Sequence, residues 1–177
     1  MKRWCLALLL LSGCQAGPAP TATTSTPAAR IAENQGWFTY FAPDGSYSVQ
    51  FPKAPESVGN NPQARLLAHG LDHQGSNLSL IQMPLPDDLN AQTASKNPAK
   101  FFAQKDLKIV GSSQAEWSGH AGVKLEMESQ GNRVWVHMIF AKPWLYQLVA
   151  LQTSQSSQDY GPEREQFFAS FQFTQKK

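Results

Sequence analysis

The sequence predicts an α+β domain, an antiparallel β-sheet covered by helices in an α/β/α sandwich. Three observations carry that prediction. Four alternating segments follow one another from Lys108 to Gln152 with turn signals between them. A helix opens at Gly161-Pro162-Glu163 and carries Phe167, Phe168 and Phe171, and a second opens at Asn97-Pro98 ahead of Phe101, Phe102 and Lys105. Residues 36–177 have the length of one ordinary domain with a real core.

The elements can be justified in order. Phe38 and Tyr40 precede the turn Pro43-Asp44-Gly45, after which Tyr47, Val49 and Phe51 alternate with Ser48 and Gln50; Pro52 stops this half-buried strand. The chain loops through Pro55, Asn60, Asn61 and Pro62. Leu66 to His69 and Leu78 to Met83 then form a hairpin about the turn residues Asp72 to Asn77. Asn97 is a good N-cap and Pro98 a good first helical residue, so the short amphipathic helix there should pack Phe101 on the sheet. The meander follows, with strands over 108–117, 122–129, 132–141 and 144–152 and turns at Ser118-Gly119, Gln130-Gly131-Asn132 and Lys142-Pro143. Val123, Leu125 and Met127 alternate with Lys124, Glu126 and Glu128. Val134, Val136, Met138 and Phe140 alternate with Arg133, Trp135, His137 and Ile139. One face of this sheet is core and the other is mixed. In the last helix Glu163 lies favourably against the N-terminal dipole.

The amino terminus carries an address. Lys2 and Arg3 precede an apolar run from Trp4 to Leu11, far short of the ~20 residues a spanning helix needs. The string Leu11-Ser12-Gly13-Cys14 resembles the lipobox of bacterial lipoproteins, and the resemblance implies acylation of Cys14 with removal of residues 1–13. Gln15 stands where Asp would signal inner-membrane retention, so the resemblance also implies the outer membrane of a Gram-negative host. Residues 14–35, rich in Pro, Thr, Ser and Ala, read as the acylated cysteine and a tether. Cys5 goes with the signal and Cys14 carries lipid, so neither is left for a disulfide or thiol chemistry. Losing Lys2 and Arg3 lowers the basic count from 15 to 13, equal to the acidic count of 13, which removes the electrostatic case for nucleic acid.

Catalytic and cofactor motifs are absent from the sequence. No Gly-x-Ser-x-Gly elbow supplies an activated serine, and no Gly-rich run ending in Lys-Ser or Lys-Thr cradles phosphate, so no enzyme activity and no cofactor are expected. His69, Asp72 and His73 have metal-ligand chemistry near one hairpin turn, although their spacing alone does not converge them. Asp87 and Asp88 are adjacent carboxylates of the kind that mark a solvated loop. His120 follows Gly119 in a turn and should be solvated. Arg133, Trp135 and His137 beside Lys124 and Glu126 make an aromatic and charged face with the composition of an interface centre. The same residues also suit a second core layer beneath a helix.

Tyr47-Ser48-Val49-Gln50-Phe51-Pro52, the Gly-turned meander and the closing Phe167-Phe168-Ala169-Ser170-Phe171 together resemble the PsbP-like, Mog-type superfamily across most of 37–174. Members of that superfamily are largely non-enzymatic accessory or assembly factors. The resemblance implies a membrane-anchored lipoprotein that binds an envelope protein without catalysis. The second expectation is a lipoprotein that binds a small ligand or a metal.

Overall fold

The computed structural model describes residues 30–57, 64–72, 74–87, 89–96 and 107–174. The described part is built mainly of strands. Strands β1 (Arg30–Asn34), β2 (Trp37–Phe41) and β3 (Tyr47–Phe51) come first, then β4 (Glu56–Ser57), β5 (Arg65–Gly70) and β6 (Asn77–Pro84). Helix α1 (Ala91–Lys96) precedes the meander of β7 (Lys108–Trp117), β8 (His120–Ser129), β9 (Asn132–Ala141) and β10 (Trp144–Gln152). Helix α2 (Gly161–Ser170) and β11 (Gln172–Phe173) close the chain.

These strands form two antiparallel sheets. The larger has seven strands in the order β4-β5-β6-β10-β9-β8-β7, and the smaller has four, β1-β2-β3-β11. Three hairpins use one device, a residue near φ +50° followed by glycine near +80°, at Gln35-Gly36, Ser118-Gly119 and Gln130-Gly131. Two successive left-handed residues make the turn whose twist matches that of the flanking strands. Glycine takes the second position without the Cβ penalty.

Alternation assigns each strand residue to a face of the large sheet. Leu67, Leu78, Leu80, Ile139, Ala141, Tyr146, Leu148 and Ala150 share one buried cluster with Tyr40, Tyr47, Val49 and Phe51 of the small sheet and Phe167, Phe168 and Phe171 at the C-terminal end. On the opposite face Val123, Leu125, Met127, Val136, Met138 and Leu145 form a second cluster with Leu89 and Ala94. The helix-covered α/β/α sandwich read from the sequence is therefore corrected. The first face is covered mainly by a second sheet, with α2 beside it, and the only other described helix, α1, is six residues long. The physical reason lies in β2 and β3. Their inward side chains are aromatic and large enough to bury the sheet beneath them, so α2 is needed only over the β9 side.

Two boundaries also move. β1 lies within the residues read as tether, and it pairs with β2 from Arg30↔Phe41 to Asn34↔Trp37. The helix read at Asn97-Pro98, with Phe101, Phe102 and Lys105, lies outside the described residues. The described helix α1 starts earlier, where Asn90 and Thr93 cap each other. The Thr93 amide donates to Asn90 Oδ1 at 2.9 Å and the Asn90 amide donates to Thr93 Oγ1 at 3.1 Å. No helix among the described residues is long and apolar enough to cross a membrane. Cys14, the rest of the lipobox and the tether up to residue 29 lie outside the described residues.

Candidate functional site

The mixed face of the large sheet is built as the alternation requires. Lys124, Glu126 and Glu128 of β8 stand opposite His137, Trp135 and Arg133 of β9. Helix α2 divides this set. His137 stacks on Phe168 with ring centroids 3.9 Å apart at 20°, and the Trp117 ring meets His137 with centroids 5.3 Å apart. The Arg164 guanidinium sits 4.0 Å over the Trp135 ring, and Arg133 approaches the same ring at 4.9 Å. Trp135 and His137 are thus a second core layer at the edge of α2. Lys124 and Arg133 stay exposed, Glu126 is half-buried, and Arg133 Nη2 donates to Glu126 Oε1 in an ion pair.

Burial, and then the positive charge of Lys124, lower the His137 pKa from 6.5 to about 4. Its Nδ1 is buried without a hydrogen-bond partner. The imidazole is neutral at pH 7 and packs between the Phe168 and Trp117 rings. Gly122 supports it from below. A Cβ there would lie 2.4 Å from both the Met138 carbonyl and the Trp117 ring, so Trp117 lies flat across β8 only because residue 122 has no side chain.

The proposed metal ligands are placed differently. His69 lies half-buried on β5, with its pKa lowered by burial and then by Lys53. Asp72 organises its own turn, where Oδ1 accepts the amides of Gln74 and Ser76, each at 2.9 Å. Burial raises the Asp72 pKa, but hydrogen bonding to Ser156 and Ser76 outweighs it and the net shift is downward. His73 lies outside the described residues, and among the described residues no three His, Cys, Asp or Glu side chains cluster to hold a metal. Asp87 is exposed and Asp88 lies outside the described residues. His120 opens β8 and packs edge-on against Phe173 at 4.7 Å, half-buried where a solvated turn residue was read.

Sequence reasoning missed two features. The first is an open groove of about 360 Å³ between the small sheet and α2, lined by Thr39, Ser48, Gln50, Gln166, Ser170 and Gln172 among others. Its polar groups largely satisfy one another. The Gln50 amide donates to Ser170 Oγ at 2.9 Å, and Gln166 Nε2 donates to Gln50 Oε1 at 3.2 Å. The second is a cluster of tyrosines about Arg65 on the inner face. Tyr47 lies between Tyr40 and Tyr146, with ring centroids 6.2 and 5.2 Å away, and Tyr146 also meets Phe171 and Phe173. Arg65 and Tyr146 flank Gln82 across neighbouring strands. These residues come from β2, β3, β5, β6 and β10, so no local motif announces them.

No family model matches the chain, and no curated protein matches it either. Solved structures do. The solution structure of cyanobacterial PsbP (CyanoP) from Synechocystis sp. PCC 6803 superposes with a TM-score of 0.54 at 12% identity, covering 88% of this chain and 98% of that one. A crystal structure from Bacteroides thetaiotaomicron VPI-5482 reaches a TM-score of 0.49 at 10% identity over 80% of this chain and 50% of its own length, too distant to carry an argument. The fold is PsbP-like.

Proposed function

We infer that the protein is a lipoprotein of the cell envelope, held to the membrane through Cys14, whose folded domain is a non-catalytic accessory factor that binds another envelope protein. The observation that carries this reading is the PsbP-like fold, which extends over nearly the whole of the cyanobacterial neighbour. The PsbP-like superfamily that the sequence resembles is made largely of accessory factors. The lipobox supplies the location, since several acyl chains on one residue anchor a protein firmly where a single chain holds it only marginally. Helix α2 covers Trp135 and His137, so the partner meets the part of that face left open, the charged strip of Lys124, Glu126 and Arg133.

Crosslinking the acylated protein in its own membranes tests the reading. The wild type should capture a discrete envelope protein, and the charge reversal Lys124→Glu/Arg133→Glu should lose it. Capture that is unchanged in the double variant moves the interface elsewhere, and no specific capture at all removes the binding role. Cys14→Ala should shift the protein from the membrane to the soluble fraction. A variant that still sediments with membranes would refute the lipid anchor.

A further inference from the structure

The outer face of the small sheet carries a surface that neither apolar cluster uses. Tyr40 of β2 and Tyr47, Val49 and Phe51 of β3 are buried inward, so alternation turns Trp37, Thr39 and Phe41 of β2 and Ser48 and Gln50 of β3 outward. Thr39 pairs with Gln50 and Ser48 with Gln172 across the strands, and Gln166 of α2 closes the groove of about 360 Å³ between them. Among the described residues no ionisable side chain lines this groove, and Ala169 is its one apolar residue. Gln50 is fixed in place. Its backbone amide donates to Ser170 Oγ, and its side chain meets Thr39 Oγ1 at 3.5 Å and Gln166 Nε2 at 3.2 Å. The Ser48 hydroxyl and the Gln172 side-chain amide, by contrast, bond to nothing among the described residues. Beside the groove, two residues along β2 from Thr39, stands Trp37. It is half-buried, belongs to neither apolar cluster and meets no other ring among the described residues.

We propose that this groove, with Trp37 at its rim, binds a neutral carbohydrate. Sites for small molecules, at about 300–1,000 Å³, are lined mainly by apolar side chains. A groove of that size lined by amides and hydroxyls matches a ligand that is polar throughout, and its lack of charge matches one that is neutral. A sugar hydroxyl donates and accepts at once, as do the amide groups of Gln166 and Gln172 and the hydroxyl of Ser48. Trp37 supplies what the polar groove lacks, a flat apolar surface. The C–H groups on the face of a sugar ring are weakly positive and lie favourably against the negative face of an indole. An extended peptide is a poorer match. It would add to a free strand edge, but β11 pairs with β3 at Tyr47 and Ser48, and Ser170 takes the Gln50 amide. The groove does not depend on the membrane anchor or on the strip at Lys124.

The test titrates the full chain, in a detergent without a sugar head group, with cellotriose, with the N-acetylglucosamine trimer and with trigalacturonate at equal ionic strength. The side-chain amides of Gln50, Gln166 and Gln172 and the indole N–H of Trp37 report binding by NMR. Saturable shifts are expected with at least one of the two neutral trisaccharides. Binding of cellotriose shows that ring hydroxyls suffice; binding of the N-acetylglucosamine trimer alone shows that the acetamido group is read. Trp37→Ala and Gln172→Ala should each weaken the affinity about fivefold, as for loss of one stacked ring or one hydrogen bond. Trp37→Phe, which keeps a ring, should recover most of the loss. Shifts that stay linear with both neutral sugars, or an affinity that either alanine substitution leaves unchanged, would overturn the site. Trigalacturonate binding more tightly than both neutral sugars would overturn the class of ligand.

Discussion

On the β5 side of the layer between the sheets Arg65 keeps its charge, whereas on the β9 side His137 has lost its own. The contrast follows from what covers each residue. Arg65 lies under the β2–β3 hairpin, among phenolic hydroxyls and the Gln82 amide, whose dipoles can turn toward a cation. His137 lies under α2 between Phe168 and Trp117, with Lys124 nearby, and nothing there accepts a proton from Nδ1. One sheet face thus supports two dielectric regimes three strands apart, and the choice is made by the covering element rather than by the sheet.

Removing the cover over His137 should have the largest effect. Phe168→Ala should destabilise the domain by about 4 kcal/mol in denaturant titration, the usual cost of a buried Phe deletion. The same variant should raise the His137 pKa toward 6.5 when followed by NMR. A variant of wild-type stability would show that α2 does not seal this corner.

The next effect is a pH dependence. The folded-state pKa of His137 is about 4 and its ordinary value is 6.5. Between those values the unfolded chain binds a proton that the folded chain does not. Stability should therefore be unaffected by this group above about pH 6.5, fall by about 3 kcal/mol as the pH drops to 4, and level off below. His137→Phe should flatten that slope. An unchanged slope would assign it to other groups.

Two smaller effects concern the opposite side and the rim. Tyr47→Phe removes a buried hydroxyl that has no partner, so stability should change by less than about 1 kcal/mol, and toward stabilisation. A loss of 2 kcal/mol or more in thermal unfolding would mean that the hydroxyl is structurally engaged with Arg65. Glu126→Gln breaks a largely solvated ion pair with Arg133 and should cost at most about 0.5 kcal/mol, vanishing in high salt.

Much of the architecture was legible in the sequence because its signals are local. The meander is found with β7, β9 and β10 over the predicted spans, and β8 starts two residues early. The turns at Ser118-Gly119 and Gln130-Gly131 and the helix start at Gly161-Pro162 are also found. What failed was partnership. Period-two alternation at Tyr47, Val49 and Phe51 identifies a strand but does not say which sheet it joins, so the sequence reads as one sheet covered by helices where the structure has two sheets. Gln35-Gly36 makes the same kind of turn as the other two hairpins, yet it follows a Pro- and Thr-rich stretch, and the boundary between tether and domain read from the sequence falls inside it. The alternation at Trp135, His137 and Ile139 left two readings open, and α2 decides between them through Phe168. The tyrosine cluster was illegible because the residues it joins, from Tyr40 to Tyr146, are scattered along most of the domain.

The edge strand β1 has a mechanical consequence. It contributes nothing to either apolar cluster, Ile31 is 46% exposed, and Arg30 pairs with Phe41 at the open end of its hairpin. Tension on the chain ahead of Arg30 therefore loads the β1–β2 bonds one pair at a time, as a zipper is opened, instead of shearing them together. Five residues released in this way add roughly 17 Å of extended chain at about 3.3 Å per residue. The domain can yield that much to a pull while β2, β3 and the aromatic layer beneath them stay closed.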